Sequence, residues 1–176
     1  WVDQLIFSPK GRAAQMNAGA QQAQGAVLWF LHADSQPPAD APAQIDAALR
    51  ASGRSWGRFD VRLSGRHPLL RMVETAMNLR SRLTGIATGD QGIFVRNTLF
   101  AQLGGYPDLA LMEDIALSQL LKRHSRPVCL RSPLQTSSRR WEQDGILRTI
   151  LLMWRLRLAY ALGAAPDRLA RRYYHS

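Results

Sequence analysis

Residues 27–34, with the sequence VLWFLHAD, constrain the fold of this chain more than any other stretch. The run opens with five apolar residues, too few for a helix, and is flanked by Gly25 and Pro37. This pattern predicts a central strand that ends at Asp34. Ligands bind at the carboxyl ends of strands in α/β sheets, so Asp34 would stand where a divalent cation and phosphates can bind. Aspartate is also common as a turn cap, and this stretch alone leaves both roles open.

The composition predicts a globular protein with an anionic partner. Its net charge of +10, carried mostly by arginine, suits nucleic acid, nucleotide phosphates or an acidic membrane surface. The length of 176 residues and the apolar fraction of 46% predict one domain with a proper core. The single cysteine, Cys129, provides neither a disulfide framework nor a thiolate metal cluster, which fits a cytoplasmic location.

Strand and helix patterns alternate along the chain, which predicts an α/β layered fold. Strands are expected at residues 1–7, 27–34, 58–64, 93–95 and 128–130. Helices are expected at residues 12–24, 41–51, 67–83, 99–103, 113–124 and 142–162, the last of them followed by a basic tail.

Acidic residues stand at several boundaries between these elements. Asp34, Asp90 and the pair Glu113 and Asp114 each follow a strand or loop and precede a helix. Each has a structural explanation, as a turn residue or as an acid favoured by the helix dipole. Their shared placement instead favours one site, in which one carboxylate binds a metal and another activates a hydroxyl as general base.

Basic residues complement these acids. Arg12 precedes a helix N-terminus, which is a natural anion site, and Arg140 follows a Ser/Thr run where its fork can pair with phosphate. A solvated turn explains Arg140 equally well. The sequence has no P-loop, GxGxxG or HExxH motif, so the usual kinase-type, dinucleotide-binding and zincin interpretations lose support.

Five short motifs together resemble those of family 2 glycosyltransferases with the GT-A fold. They lie, in family order, at residues 11–19, 30–34, 89–92, 112–114 and 140–141. The chain looks most like the small bacterial subgroup found near radical-SAM and selenium-type genes, some members of which are linked to arsenosugar biosynthesis. This resemblance covers essentially the whole chain. It implies a Rossmann-like GT-A fold with a mixed sheet flanked by helices.

The resemblance assigns the first motifs to the donor side of the site. Asp34 matches the last acid of the DxD-like motif, which holds Mn²⁺ or Mg²⁺ against the diphosphate of a nucleotide-diphospho-sugar. The first position of that motif is His32 here. Arg12 and Asn17 match positions along the nucleotide pocket.

The later motifs match the catalytic and acceptor side of the family. Asp114, next to Glu113, matches the general base that deprotonates the acceptor hydroxyl in an inverting displacement. The acceptor-side loop consists of Gly89, Asp90 and Gln91. Arg140 and Trp141 resemble the end of the Q-x-x-R-W signature, in which Arg140 serves the donor and Trp141 the acceptor, although Ser137 stands at the glutamine position.

The start of the chain departs from the family pattern. Family members begin with a strand and a Pro-x-x-Asn-Glu-type turn, followed by a strand that ends in Asp-Gly-x-Ser-x-Asp, and neither motif occurs here. The resemblance therefore implies an N-terminally truncated GT-A domain, residues 1–141, that lacks its first two strands. Such a chain is expected to transfer sugar weakly by itself.

Residues 142–176 are expected to form a basic and apolar C-terminal segment. Its helix, residues 142–162, is apolar nearly all round, but Arg148, Arg155 and Arg157 make a membrane-spanning position expensive. One interpretation is an interfacial helix on anionic lipid at the inner face of the cell membrane. The other is a helix packed on the domain with its arginines reaching solvent.

The leading functional prediction is a metal-dependent inverting glycosyltransferase with a nucleotide-diphospho-sugar donor and an acceptor that the sequence does not identify. A nucleotidyltransferase can share a similar sheet and also uses acids with a metal. A hypothesis from another class is a non-catalytic basic module that binds anionic membrane or nucleic acid, with nucleic acid the less expected partner. Such a module would need neither Asp34 nor Asp114.

Overall fold

The computed structural model describes residues 3–174 and has an α/β architecture, as predicted. Four strands form one open mixed sheet in the order β1-β3-β2-β4. They are β1 (Val27–Trp29), β2 (Trp56–Leu63), β3 (Phe94–Arg96) and β4 (Val128–Thr136). Strand β3 is antiparallel to both of its neighbours, whereas β2 and β4 are parallel.

Helices flank this sheet. They are α1 (Arg12–Gln22), α2 (Ala41–Ser52), α3 (Pro68–Thr84), α4 (Asn97–Gln102), α5 (Glu113–His124), α6 (Arg139–Gln143), α7 (Ile146–Ala161) and α8 (Pro166–Tyr174). A single 3₁₀ turn, Gly89–Gln91, precedes β3. The helices predicted between residues 12 and 124 are therefore confirmed, with small shifts at their ends.

The core lies on both faces of the sheet. Phe94 and Val95 of β3 are completely buried and belong to different apolar clusters, because successive side chains of a strand point to opposite faces. The Val95 cluster includes residues of α1, α4 and α5, and the Phe94 cluster includes the buried face of α2. Helix α5 is thus fixed against the sheet, which positions its N-terminus.

The strand predicted at residues 1–7 is wrong for the part that the structure describes. Residues 1 and 2 lie outside the described residues, and residues 3–7 form no strand. Leu5 is 75% exposed and Phe7 is 90% exposed. A strand needs a neighbour to complete its hydrogen bonds, and no described strand lies alongside this segment.

Strand β1 ends at Trp29, so the prediction that it runs to Asp34 is also wrong. One further ladder bond joins the Phe30 N–H to the Ile93 carbonyl at 2.9 Å. The segment that pairs with β1 then leaves the ladder at Gly92, which has a φ of 57°. The chain after β1 makes a turn, closed by a 3.0 Å bond from the Ser35 N–H to the His32 carbonyl, and Asp34 is exposed in it.

The helix predicted at residues 142–162 is two helices. The chain breaks at Gly145, which has a φ of 85°, so that α6 ends before α7 begins, and the expected basic tail forms α8. Leu156 of α7 and Leu169 of α8 pack on the buried Met112 at the start of α5. The described residues include no helix long and apolar enough to cross a membrane.

Candidate active site

The chain enters α5 through a strained residue. Met112 has a φ of 70° and a ψ of 17°, and among residues 3–174 it is the only non-glycine residue with a positive φ. The left-handed conformation costs about 1 kcal/mol for a residue with a side chain. Burial of Met112 against α7 and α8 holds it there. The result is an abrupt turn that puts Glu113 and Asp114 in the first turn of α5, where the helix dipole favours negative charge.

Backbone hydrogen bonds hold the Asp114 carboxylate in place. Its Oδ2 accepts a bond from the Gly89 N–H at 3.0 Å, and its Oδ1 accepts one from the Ile115 N–H at 2.7 Å. Asp114 therefore joins α5 to the Gly89–Gln91 turn. These bonds fix the direction of a carboxylate that could remove a proton from a bound hydroxyl.

The Gly89–Gln91 turn is joined in turn to the segment after β1. His32 Nδ1 lies 3.5 Å from Asp90 Oδ1. This interaction raises the pKa of His32 above its ordinary value, although burial acts in the other direction. Burial acts to raise the pKa of Asp90, but the hydrogen bond and charge of His32, together with the charges of Arg12 and Arg157, outweigh it and lower that pKa. The two side chains therefore form a charged pair at mildly acidic pH.

A side chain at position 89 would displace His32, because His32 packs directly over Gly89. A β-carbon on Gly89 would lie 2.4 Å from His32 Nε2. The close approach allows the Gly89 N–H to reach Asp114 while His32 reaches Asp90. Three segments that are distant in sequence thus share one set of contacts.

Glu113 is buried beside Asp114 and faces Arg12. Its side chain is 5% exposed, and its Oε1 lies 3.8 Å from Arg12 Nη1. Burial, and then the charge of Asp114, raise the pKa of Glu113 above its ordinary value. The adjacent acids therefore have different surroundings, and those of Glu113 favour its protonated form.

A cavity of about 80 Å³ lies at the N-terminus of α5. Its polar lining comes from Arg12, Thr88, Asp90, Glu113, Asp114, Arg157 and Tyr173. The Thr88 hydroxyl is buried and has no hydrogen-bond partner among the described residues. The cavity combines fixed carboxylates, cationic groups and a buried hydroxyl, a set that suits one polar group of a larger ligand.

Arg157 of α7 was not predicted as part of this site. Burial lowers its pKa, although the charges of Asp114 and Asp90 act in the other direction. Arg80 of α3 behaves similarly: burial, and then the charge of Arg157, lower its pKa to about 10. The only signal in the sequence was an arginine on the side of an apolar helix opposite Arg148 and Arg155.

Two predicted site residues support loops around the cavity. The Asn17 side chain accepts a bond from the Tyr106 N–H at 2.8 Å and donates one to the Tyr106 carbonyl at 2.9 Å. Gln91 is fully buried, accepts a bond from the Thr88 N–H at 3.2 Å and donates one to Asn78 at 3.3 Å. Both side chains thus hold neighbouring backbone in position, and their predicted ligand contacts stay predictions.

The side chains of Arg140 and Trp141, predicted to act in one motif, lie in different surroundings. The Arg140 guanidinium stacks 3.7 Å from the Tyr173 ring centre and donates a bond to the Tyr173 carbonyl at 2.9 Å. Since Tyr173 lines the cavity, Arg140 supports the site indirectly. Trp141 instead packs on the apolar cluster between β2 and α3.

Asp34 is suited to a cation that is held largely by a ligand. No group of three or more His, Cys, Asp and Glu side chains in the described part of the chain comes together as a metal site. Asp34 is exposed, and its charge helps to raise the pKa of nearby His32. Mg²⁺ commonly binds through one or two carboxylates together with substrate phosphates and water, so one exposed aspartate fits this mode.

Comparisons of the chain with models of known protein families and with curated proteins gave no significant match. The resemblance to family 2 glycosyltransferases therefore stays a prediction from the motifs.

Proposed function

We propose that this protein is an inverting glycosyltransferase with a GT-A-type fold. It moves a sugar from a nucleotide-diphospho-sugar to an acceptor hydroxyl with the help of Mn²⁺ or Mg²⁺. The observation that carries the proposal is the meeting of motifs from distant parts of the chain. Asp90 lies 3.5 Å from His32, and the Gly89 N–H lies 3.0 Å from the Asp114 carboxylate. Arg12 completes the set, 3.8 Å from Glu113.

Asp114 acts as the general base in this proposal. It takes the proton from the acceptor hydroxyl as the oxygen attacks the anomeric carbon, and the nucleoside diphosphate leaves from the opposite face. The two backbone N–H bonds to Asp114 keep the carboxylate in place without neutralising it. Arg12 and Arg157, which line the same cavity, provide positive charge for the anionic substrates. Asp34 would hold the cation, whose charge stabilises the departing diphosphate.

Nucleotide binding provides the test that is independent of turnover. With Mn²⁺ and a nucleoside diphosphate at about 100 times its Kd, we expect the melting temperature to rise by roughly 5–10 °C. Asp34→Ala should remove the part of this rise that depends on Mn²⁺. Asp46→Ala is the matched control, since Asp46 is an exposed aspartate of α2 that pairs with Arg50 of the same helix.

Two results would contradict the proposal. One is a Mn²⁺-dependent rise of equal size in the Asp34→Ala variant. The other is the product pattern of a nucleotidyltransferase, in which a nucleoside monophosphate rather than the sugar is transferred to the acceptor. Analysis of products from a panel of nucleotide sugars distinguishes the two reactions.

A further inference from the structure

Within the described part of the chain, Arg80 and Arg157 are cations without an ion-pair partner, and both lie near the proposed general base. The Nε and Nη2 atoms of Arg80 are buried and have no hydrogen-bond partner among the described residues. Neither arginine forms an ion pair within residues 3–174. Asp114 is near enough to affect the pKa of both but contacts neither within that region. A buried donor without a partner destabilises the fold, and more so when it is charged.

These arginines line a cleft of about 700 Å³ between α3, α5 and α7. Gln119 and Tyr160 add further polar groups to its lining. Arg157 and Ile115 also line the small cavity that contains Asp114. The cleft is therefore adjacent to the base, and Arg157 lies where the two cavities meet.

We propose that the acceptor carries a phosphate group, which binds to Arg80 and Arg157 in this cleft. The inference rests on the proposed function and names its acceptor class, a hydroxyl compound with a phosphate ester. Guanidinium forks match phosphate oxygens, and a bound dianion would compensate two cations that otherwise repel each other. Because Nε and Nη2 of Arg80 are closed to solvent, its guanidinium turns toward the cleft when the phosphate binds.

Calorimetric titration with inorganic phosphate and with glycerol 3-phosphate tests this site. Both should bind to the unmodified protein, and Arg80→Gln and Arg157→Gln should each weaken binding at least tenfold. Arg131→Gln is the matched control because Arg131 is an exposed arginine of β4, away from α7 and α8. Without phosphate, Arg80→Gln should also raise the melting temperature, since it removes an uncompensated buried charge.

Failure of either ligand to bind at millimolar concentration would overturn the acceptor site, as would equal binding by Arg80→Gln. The anion could instead be the diphosphate of the donor. In that case Arg80→Gln would weaken binding of a nucleoside diphosphate with Mn²⁺, and this result also overturns the proposal. Unchanged nucleotide binding in Arg80→Gln, with phosphate binding lost, supports it. Nucleotide binding is measured separately, so failure of the proposed function would be recognised independently.

A second observation concerns the outer face of α7, which is apolar and exposed. This exposed stripe consists of Leu147, Leu151, Trp154, Leu158 and Leu162, each between 61% and 79% exposed. Spacings of three and four residues place them on one side of the helix. Helix α3, which contacts α7, adds Met72, Leu79 and Leu83, each more than half exposed.

Arginines lie along one side of the exposed stripe. Arg148 and Arg155 follow it on α7, and Arg171 and Arg172 of α8 share a groove with Arg155. All four are exposed and form no ion pair within the described residues. An apolar face with tryptophan and a row of arginines is typical of helices that lie flat in the interface of an anionic bilayer.

We infer that the exposed stripe binds an anionic membrane surface, with α7 parallel to the membrane plane. Sedimentation with vesicles should show at least tenfold tighter binding to phosphatidylcholine that contains about 30% phosphatidylglycerol than to phosphatidylcholine alone. The binding should weaken as salt is added. Trp154→Ser and Arg148→Gln should each reduce it. Phe7→Ser is the matched control, because Phe7 is 90% exposed but lies outside the exposed stripe.

Equal vesicle binding by Trp154→Ser would overturn this inference. It is also overturned if the unmodified protein ignores vesicles and Trp154→Ser converts a dimer into a monomer, since the exposed stripe would then bind a second copy of the chain. Neither readout depends on sugar transfer.

Discussion

Replacing Asp114 by asparagine is expected to lower the rate of sugar transfer by about 10²- to 10⁴-fold, the usual contribution of a general base. Asparagine has nearly the same shape, and its oxygen can still accept a bond from the Gly89 or Ile115 N–H. It cannot take a proton from the acceptor. The fold and nucleotide binding should therefore persist while the chemical step is lost.

The measurement is release of nucleoside diphosphate in the presence of acceptor. It is made in this chain and in a version preceded by the two strands that the resemblance implies. Asp108→Asn serves as the control, because Asp108 is an exposed aspartate of the loop before α5. If Asp114→Asn turned over at the unmodified rate, another group would have to be the base.

Replacing Gly57 by alanine should have the largest effect on stability. A β-carbon at this position of β2 would lie 2.4 Å from the Val128 carbonyl oxygen and 2.5 Å from Cζ of Phe94. Val128 belongs to the neighbouring parallel strand, and Phe94 is completely buried. Neither atom can move without disturbing the sheet. We expect a loss of about 2–4 kcal/mol, or roughly 5–12 °C in melting temperature.

Gly19→Ala is the matched control for this prediction. Gly19 lies inside α1, and a β-carbon there would meet nothing within 4 Å. Alanine in a helix interior stabilises by about 0.5–1 kcal/mol relative to glycine. Thermal unfolding should therefore shift in opposite directions for the two variants. Similar shifts in both would mean that β2 and β4 do not pack as closely at Gly57 as described.

The sequence predicted correctly those helices whose ends are fixed by residues close to them in the chain. Helix Glu113–His124 begins at two acids, where the dipole favours them, and its prediction is confirmed. The length of β1 could not be predicted in the same way. It depends on its antiparallel neighbour, which turns away at Gly92 after a separation of more than 60 residues. The break at Gly145 was missed because Glu142 and Gln143 before it favour a helix, as the apolar run after it does.

In the candidate site, too, residues marked by their local sequence were predicted, and residues placed by tertiary packing were missed. Asp34, Asp90 and Asp114 were predicted from their positions next to strands and helices, and the structure brings Asp90 and Asp114 to one cavity. Arg80 and Arg157 were missed because they reach the site only through the packing of α3 and α7 on α5. Side-chain packing of this kind depends on tertiary contacts that no local pattern records.

The left-handed conformation of Met112 limits where the thermal stability of this protein can be raised. Its strain, the burial of Glu113 and the Thr88 hydroxyl, which has no hydrogen-bond partner within residues 3–174, all oppose folding at the same corner of the molecule. The rest of the fold must therefore supply the stability that this corner lacks. A substitution that relaxed this corner would make the protein more robust at the expense of the fixed carboxylate, so heat resistance should be sought elsewhere in the fold.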